Sequence, residues 1–156
     1  MKSEIPLDIA TPRTHTTQLP ASPKGAAVCR RIARHQLTSW RLDATATEPF
    51  HAALLIIAEF AANACTHGRL PGRRFELSLT LTTTPKGGTV LRIEVSDCRG
   101  DRLPVIPTTC TANSQTGRGL TLVDALADRW GTIPRLPNAK TVWAELDLPA
   151  HAPHAA

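Results

Sequence analysis

The chain has 156 residues, a formal net charge of +5, 42% hydrophobic residues and 20% charged residues. This length suits a single domain with a sizeable core, and the composition is ordinary for a soluble globular protein. No apolar run is long enough to cross a bilayer and the N-terminus has no apolar signal-peptide core, so we expect a cytoplasmic protein without membrane contact. The basic residues are scattered and aromatic residues are few, which argues against direct nucleic-acid binding.

The four cysteines indicate free thiols. They are Cys29, Cys65, Cys98 and Cys110, with no CxxC pair and no accompanying histidine cluster. This spacing argues against a zinc site, and in a cytosolic chain the thiols stay reduced.

The first elements are a tail and a helix. Residues 1–20 carry threonine, proline and charge without hydrophobic periodicity, which predicts a disordered tail. A helix is predicted from Pro23 to about Ser39, because apolar residues recur there at helical spacing. Arg30, Arg31 and Arg34 lie on its polar side, which faces either water or a partner protein.

The second helix is the most informative part of the chain. A loop is predicted over residues 40–48, with Thr47 as a plausible N-cap, and the helix ends at His67 and Gly68. Between residues 52 and 65 only Glu59 and Asn63 are strongly polar, and their spacing of four places them on one face. They are either two satisfied polar groups at a helix edge or a metal or phosphate site. In the second case Glu59 would act as a base and the Asn63 oxygen as a ligand for Mg²⁺.

The pattern then changes to the period of β-strands. Residues 75–82 alternate between apolar and polar, residues 85–88 form a turn, and residues 89–97 alternate again, which predicts an antiparallel hairpin with one exposed face. Asp97 is in phase with the apolar residues of its strand. It either points to the covered face and binds a ligand, or begins a turn just past the strand end.

The last third of the chain begins with a long segment without a pattern. Residues 98–116 are predicted to form a lid, which ends at the sequence Gly117-Arg118-Gly119-Leu120 and leads into a helix. A glycine-rich turn before a helix N-terminus offers backbone N–H groups to phosphate. Two strands are predicted at 130–133 and 140–148, and residues 149–156 as a disordered tail.

These elements predict an α+β domain over residues 21–148. The alternating strands require one face exposed to water, so we expect a two-layer sandwich in which helices cover one face of a mixed, mostly antiparallel sheet.

Three motifs stand in an order that resembles the histidine-kinase-like (GHKL) ATPase superfamily. They are the helical Glu59-x-x-x-Asn63 followed by His67-Gly68, the strand-terminal Asp97, and the lid ending at 117–120. They are similar to the N, G1 and G2 boxes of that superfamily. The sequences GRGLTLVDALADRWGT and KTVWAEL most resemble anti-sigma factor serine/threonine kinases and their actinobacterial relatives.

The resemblance implies a role for each residue. Asn63 would bind Mg²⁺ and bridge to the phosphates of ATP, and Glu59 would be the catalytic base that receives the proton of the attacking hydroxyl. Asp97 would accept a hydrogen bond from the adenine amino group. The remaining nucleotide-binding residues implied are Gly117, Arg118, Gly119 and Leu120 near the phosphates and Thr141 on the adenine side.

The chain departs from the family pattern in the G1 box. Arg99 and Asp101 stand where the pattern Asp-x-Gly-x-Gly has glycines. The resemblance therefore leaves two functions open. One is a kinase that phosphorylates a small antagonist protein, and the other is a partner-binding module of the same fold with weak or no nucleotide binding. An unrelated α/β domain with structural polar residues is the third alternative.

The resemblance also implies partners. These are a sigma factor, an antagonist protein and a second copy of the chain, since relatives form homodimers. The candidate surface for the homodimer is the helix over residues 24–39.

Overall fold

The fold is taken from a computed structural model that describes residues 11–67, 72–97, 115–135 and 139–149. The elements follow the chain in this order: β1 (Arg13–Pro20), α1 (Pro23–Ser39), α2 (Leu42–Thr45), α3 (Thr47–His67), β2 (Arg74–Thr83), β3 (Thr89–Asp97), α4 (Gln115–Leu126), β4 (Arg129–Arg135) and β5 (Ala139–Leu148).

The five strands form one sheet in the order β1-β2-β3-β5-β4, and all the strand pairs described are antiparallel. The hairpin of β2 and β3 is confirmed, with Leu79 opposite Ile93. The sequence predicted a mixed, mostly antiparallel sheet, and the strand pairs described are antiparallel throughout. The α+β architecture is confirmed.

One face of the sheet is covered by helices, because each central strand alternates. Leu77, Leu79, Leu91 and Ile93 are fully buried on this inner face. The helix α3 packs against β3 and β5, with α1 and α4 on its flanks. Its contribution to the core is a set of fully or nearly fully buried residues, namely Ala53, Ile56, Ile57, Phe60, Ala61 and Ala64.

The outer face carries paired charges instead of helices. Arg92 on β3 contacts Glu94 and Glu145 at 2.9 and 3.2 Å, and its guanidinium carbon lies 4.4 Å from the centre of the Trp143 ring. Arg129 contacts Glu145 and Asp147, and the hydrogen bonds from Arg129 hold the pKa of Asp147 below its usual value. This face is therefore polar and tolerates water, as the alternation predicted.

The predicted N-terminal tail is wrong for residues 13–20, which form the edge strand β1. Every residue of β1 pairs with β2, from Arg13 opposite Leu81 to Pro20 opposite Arg74. Leu19 is buried, and His15 and Thr17 are half-buried on the same face. Threonine favours strands, but the polar composition hid the alternation. Residues 1–10 lie outside the described residues.

Two smaller expectations also need correction. The loop predicted over residues 40–48 contains the short helix α2. The helix α4 begins at Gln115, so residues 117–119 lie in its first turns and not in a turn ahead of it. The rest of the predicted lid, the helix cap at Gly68 and the tail from residue 150 lie outside the described residues. None of the helices within the described ranges is long and apolar enough to span a bilayer.

If β1 belongs to the folded domain, Leu19→Ala will lower the free energy of unfolding by about 2 to 5 kcal/mol, the usual cost of truncating a buried leucine. The measurement is urea unfolding. The matched control is Gln18→Ala, whose exposed side chain contacts Glu76 at 3.3 Å on the outer face, and we expect a change of at most about 0.5 kcal/mol there. Equal, small effects of both substitutions would contradict the assignment of β1 to the core.

Candidate functional site

The polar face of α3 is accessible from outside the core. Glu59 and Asn63 are both half-buried, whereas their neighbours Ile56, Phe60 and Ala64 are buried. Leu55, one turn before Glu59 on the same face, is 48% exposed. The two polar side chains thus lie where a ligand can reach them, one helical turn apart.

The register of the sheet places the end of α3 beside the end of β3. β2 begins at Arg74 next to the end of β3, since Glu76 lies opposite Ser96. Only six residues connect His67 to Arg74, so α3 ends at this same end of the sheet. The Cys65 thiol, near that end, donates a hydrogen bond to the carbonyl of Ser22 at 3.1 Å. Asn63 and Asp97 therefore share one end of the domain.

The helix α4 packs against α3 and precedes β4 in the chain. It ends at Leu126, close to Arg129, which lies opposite Glu145 toward the far end of β5. Its 12 residues span about 18 Å, and Gly117, Arg118 and Gly119 lie in its first turns. Leu120 and Val123 are buried, and α4 packs against α3.

Asp97 ends β3 on the inner face of the sheet, in phase with Leu91, Ile93 and Val95. The residue directly opposite it on β5 is Lys140, which is only 6% exposed. Both residues take part in interactions in the structure. Sequence reasoning missed Lys140, although the alternation of β5 from Leu148 back through Val142 predicts that it shares the inner face.

Thr141, the predicted adenine residue, lies on the opposite face of the sheet. Its hydroxyl is 2.7 Å from that of Ser96, its cross-strand partner, and the residue has no exposed surface. The inner and outer faces alternate along β5, so Lys140 and not Thr141 shares the face of Asp97.

The two cysteine thiols within the described residues are buried and unpaired by disulfides. Burial raises the pKa of the Cys29 thiol to about 12, and burial also raises the pKa of Cys65. The raised pKa of both thiols disfavours the thiolate, which is the reactive form of cysteine.

The amide of Asn63 is a donor of the type that suits a magnesium-bound nucleotide. Mg²⁺ prefers oxygen ligands and needs only one or two from the protein when phosphates supply others, which is the role predicted for the amide oxygen of Asn63. In the parts of the chain that the structure describes, no group of three or more histidine, cysteine, aspartate or glutamate side chains could hold a metal ion.

A separate cleft of about 600 Å³ lies at the other end of the sheet. It is bounded by Trp40 and Arg41 from the segment before α2 and by Thr89 and Leu148 from the sheet. None of the predicted site residues borders it.

Comparisons with known proteins agree with the fold. Residues 19–145 match the family described as the histidine kinase-like ATPase domain. No curated protein matches the chain. Among solved structures, the chain is similar to the crystal structure of the RsbU and RsbW domains of Rv1364c from Mycobacterium tuberculosis, with 17% identity and a TM-score of 0.58. That match covers 88% of this chain but only 34% of the other, so this chain spans about a third of its length.

The Ser96–Thr141 contact is expected to stabilise the end of the sheet. Thr141→Val keeps the shape of the side chain but removes the partner of Ser96, which costs about 1 kcal/mol of unfolding free energy. A double-mutant cycle with Ser96→Ala, measured by urea unfolding, should show a coupling of about 0.5 to 1.5 kcal/mol. Additive effects of the two substitutions would mean that the hydroxyl pair contributes nothing to stability.

Proposed function

Because the chain belongs to the histidine kinase-like ATPase domain family, we propose that it binds Mg-ATP and transfers the terminal phosphoryl group to a serine or threonine of a small antagonist protein. The observation that supports this most is the position of two elements at one end of the domain. The end of α3 with Glu59 and Asn63 and the end of β3 with Asp97 share that end, and α4 packs against α3.

Each residue has a role that its chemistry allows. The bound nucleotide would supply the phosphoryl group and, with its cation, most of the charge in the site. The Asn63 amide oxygen is neutral and would hold the cation without cancelling its charge. The carboxylate of Glu59, one turn earlier, would accept the proton of the attacking hydroxyl. The backbone at residues 117–120 would approach the phosphates, where glycine has no side chain to obstruct it.

The adenine ring of the nucleotide would lie at the other side of the site, against the sheet. Asp97 would accept a hydrogen bond from the adenine amino group, since an ionised carboxylate only accepts. The buried inner-face residues beside it, Val95 and Val142, offer apolar contact to the ring. The hydroxyl of Thr141 faces Ser96 on the outer face of the sheet. Thr141 would therefore support the adenine side indirectly, through the geometry of the strands.

A second function is favoured by the G1 sequence. Arg99 and Asp101 replace the glycines of the family pattern, and these residues lie outside the described residues. In this alternative the domain binds a protein partner and does not turn over ATP. The partner in either case would be a sigma factor or its antagonist, and the domain would form a homodimer.

The helix α1 is our candidate surface for those contacts. Arg30, Arg31 and Arg34 are exposed on it, and its 17 residues include no carboxylate. The Arg34 guanidinium lies 5.9 Å from the Phe50 ring, which leaves Arg30 and Arg31 for an acidic partner surface.

Asn63→Ala should abolish the stabilisation by magnesium nucleotides. At a hundredfold excess over Kd, a ligand adds about 2.7 kcal/mol, and at this chain length that raises Tm by about 5 to 10 °C. The measurement is thermal unfolding with Mg-ATP and Mg-ADP, with and without EDTA. The matched control is Ala62→Ser, the adjacent exposed position, which should keep the full shift. No shift in the native protein at millimolar nucleotide would contradict the ATP site and favour the partner-binding alternative.

Glu59→Gln should separate binding from transfer. The amide keeps the size and polarity of the side chain but cannot accept a proton. We expect phosphoryl transfer to a protein substrate to fall about 100-fold or more, while the Tm shift with Mg-ATP stays. The measurement is transfer of labelled phosphate from ATP to antagonist proteins. Unchanged transfer by the variant would exclude Glu59 as the base.

A further inference from the structure

The residue opposite Asp97 is Lys140, and it adds a hydrogen-bond donor to the end of the domain where the adenine base would bind. Lys140 is 6% exposed, and lysine is almost never buried to this extent unless its ammonium is paired. It stands between Asp97 on β3 and Pro134 on β4 in the register of the sheet. Since Pro134 offers no side-chain acceptor, the cross-strand group of opposite charge is the Asp97 carboxylate.

Directly opposed residues on one face of an antiparallel pair have Cβ atoms about 5 Å apart. The ammonium of Lys140 is a pure donor, and the carboxylate of Asp97 is a pure acceptor. The register thus brings a donor residue and an acceptor residue to opposed positions at the end of the inner face. A single aspartate would present an acceptor alone.

A donor beside an acceptor matches two neighbouring atoms on the edge of adenine. The exocyclic amino group donates, and the adjacent ring nitrogen N1 accepts. On the premise of the proposed nucleotide site, we propose that Lys140 is a specificity-determining residue. Lys140 donates a hydrogen bond to N1 of the adenine ring, while Asp97 accepts a hydrogen bond from the amino group.

The register of β3 and β5 supports this assignment. Ser96 and Thr141 bond across the strands on the outer face at 2.7 Å, which fixes the next pair, Asp97 and Lys140, opposite each other on the inner face. Neither side chain can move to the other face without a one-residue slip of the whole strand.

The test replaces one atom of the ligand and one residue of the protein. Dissociation constants are measured by calorimetry for Mg-ADP and for Mg-1-deaza-ADP, in which a C–H group replaces N1. The native protein should bind Mg-ADP at least tenfold more tightly. Lys140→Met, which keeps the aliphatic stem, should bind the two ligands within about twofold. Lys86→Met, which removes the same charge from the exposed turn before β3, should discriminate as the native protein does.

Lys140→Thr provides a second variant in case the methionine variant does not fold, and the same loss of discrimination is expected. Equal binding of both ligands by the native protein, or discrimination retained in a folded Lys140 variant, would overturn the inference while the nucleotide site stands. Preference of the native protein for Mg-GDP would also overturn it, because Lys140 would then donate to the guanine oxygen. Absence of binding of any nucleotide would overturn the proposed function together with this inference.

Discussion

The structure depends on the burial of α3 between the sheet and the two flanking helices. Ile56, Ile57 and Phe60 are each at most 2% exposed, and burying side chains of this size contributes roughly 1.5 to 3 kcal/mol each. A helix that is apolar on nearly every side can be held this way only if several elements surround it. The one face left accessible carries Leu55, Glu59 and Asn63. Packing thus decides which face of α3 is available for chemistry.

The junction between β1 and α1 holds the end of that helix. A Cβ atom on Gly25 would lie 1.9 Å from the carbonyl oxygen of Pro20, so only glycine permits this close approach. The Ser22 hydroxyl accepts a hydrogen bond from the Gly25 N–H at 3.1 Å and caps α1. The Ser22 carbonyl accepts from the Cys65 thiol. The edge strand is thereby linked to the turn of α3 that carries Asn63.

The sequence was sufficient to predict the helices and strands whose hydrophobic periodicity is strong. The two helices with apolar faces and the hairpin of β2 and β3 are where the periodicity predicted them, and residues 139–148 alternate clearly. The edge strand β1 was missed because its alternation is made of threonine and histidine, and because its partner, β2, lies about sixty residues away. Propensity is a local quantity and does not detect a partner at that separation.

The residue types of the candidate site could be predicted from the sequence, but the face of the sheet on which each residue lies could not. The resemblance to the family supplied Glu59, Asn63 and Asp97, and helical spacing alone placed the first two together. The late strand was different, since the motif KTVWAEL does not say which of its first two residues lies on the inner face of the sheet. The same alternation that buried Val142 and Ala144 assigns Lys140 inward, but a polar residue at a strand end gives no hydrophobic signal of its own.

The chemistry of the site therefore rests on contacts made on the other face of the sheet. Along β5, three of the outer positions, Thr141, Trp143 and Glu145, each have a partner on β3. Thr141 bonds Ser96, the Trp143 ring lies under the Arg92 guanidinium, and Glu145 contacts Arg92. At the β4 side, a Cβ on Gly131 would lie 3.1 Å from the Trp143 ring, so the absence of a side chain leaves room for that ring. A slip of one residue would break all three contacts and exchange Lys140 for Thr141 on the inner face. Pairs of side chains on the outer face thus determine which side chain stands beside Asp97.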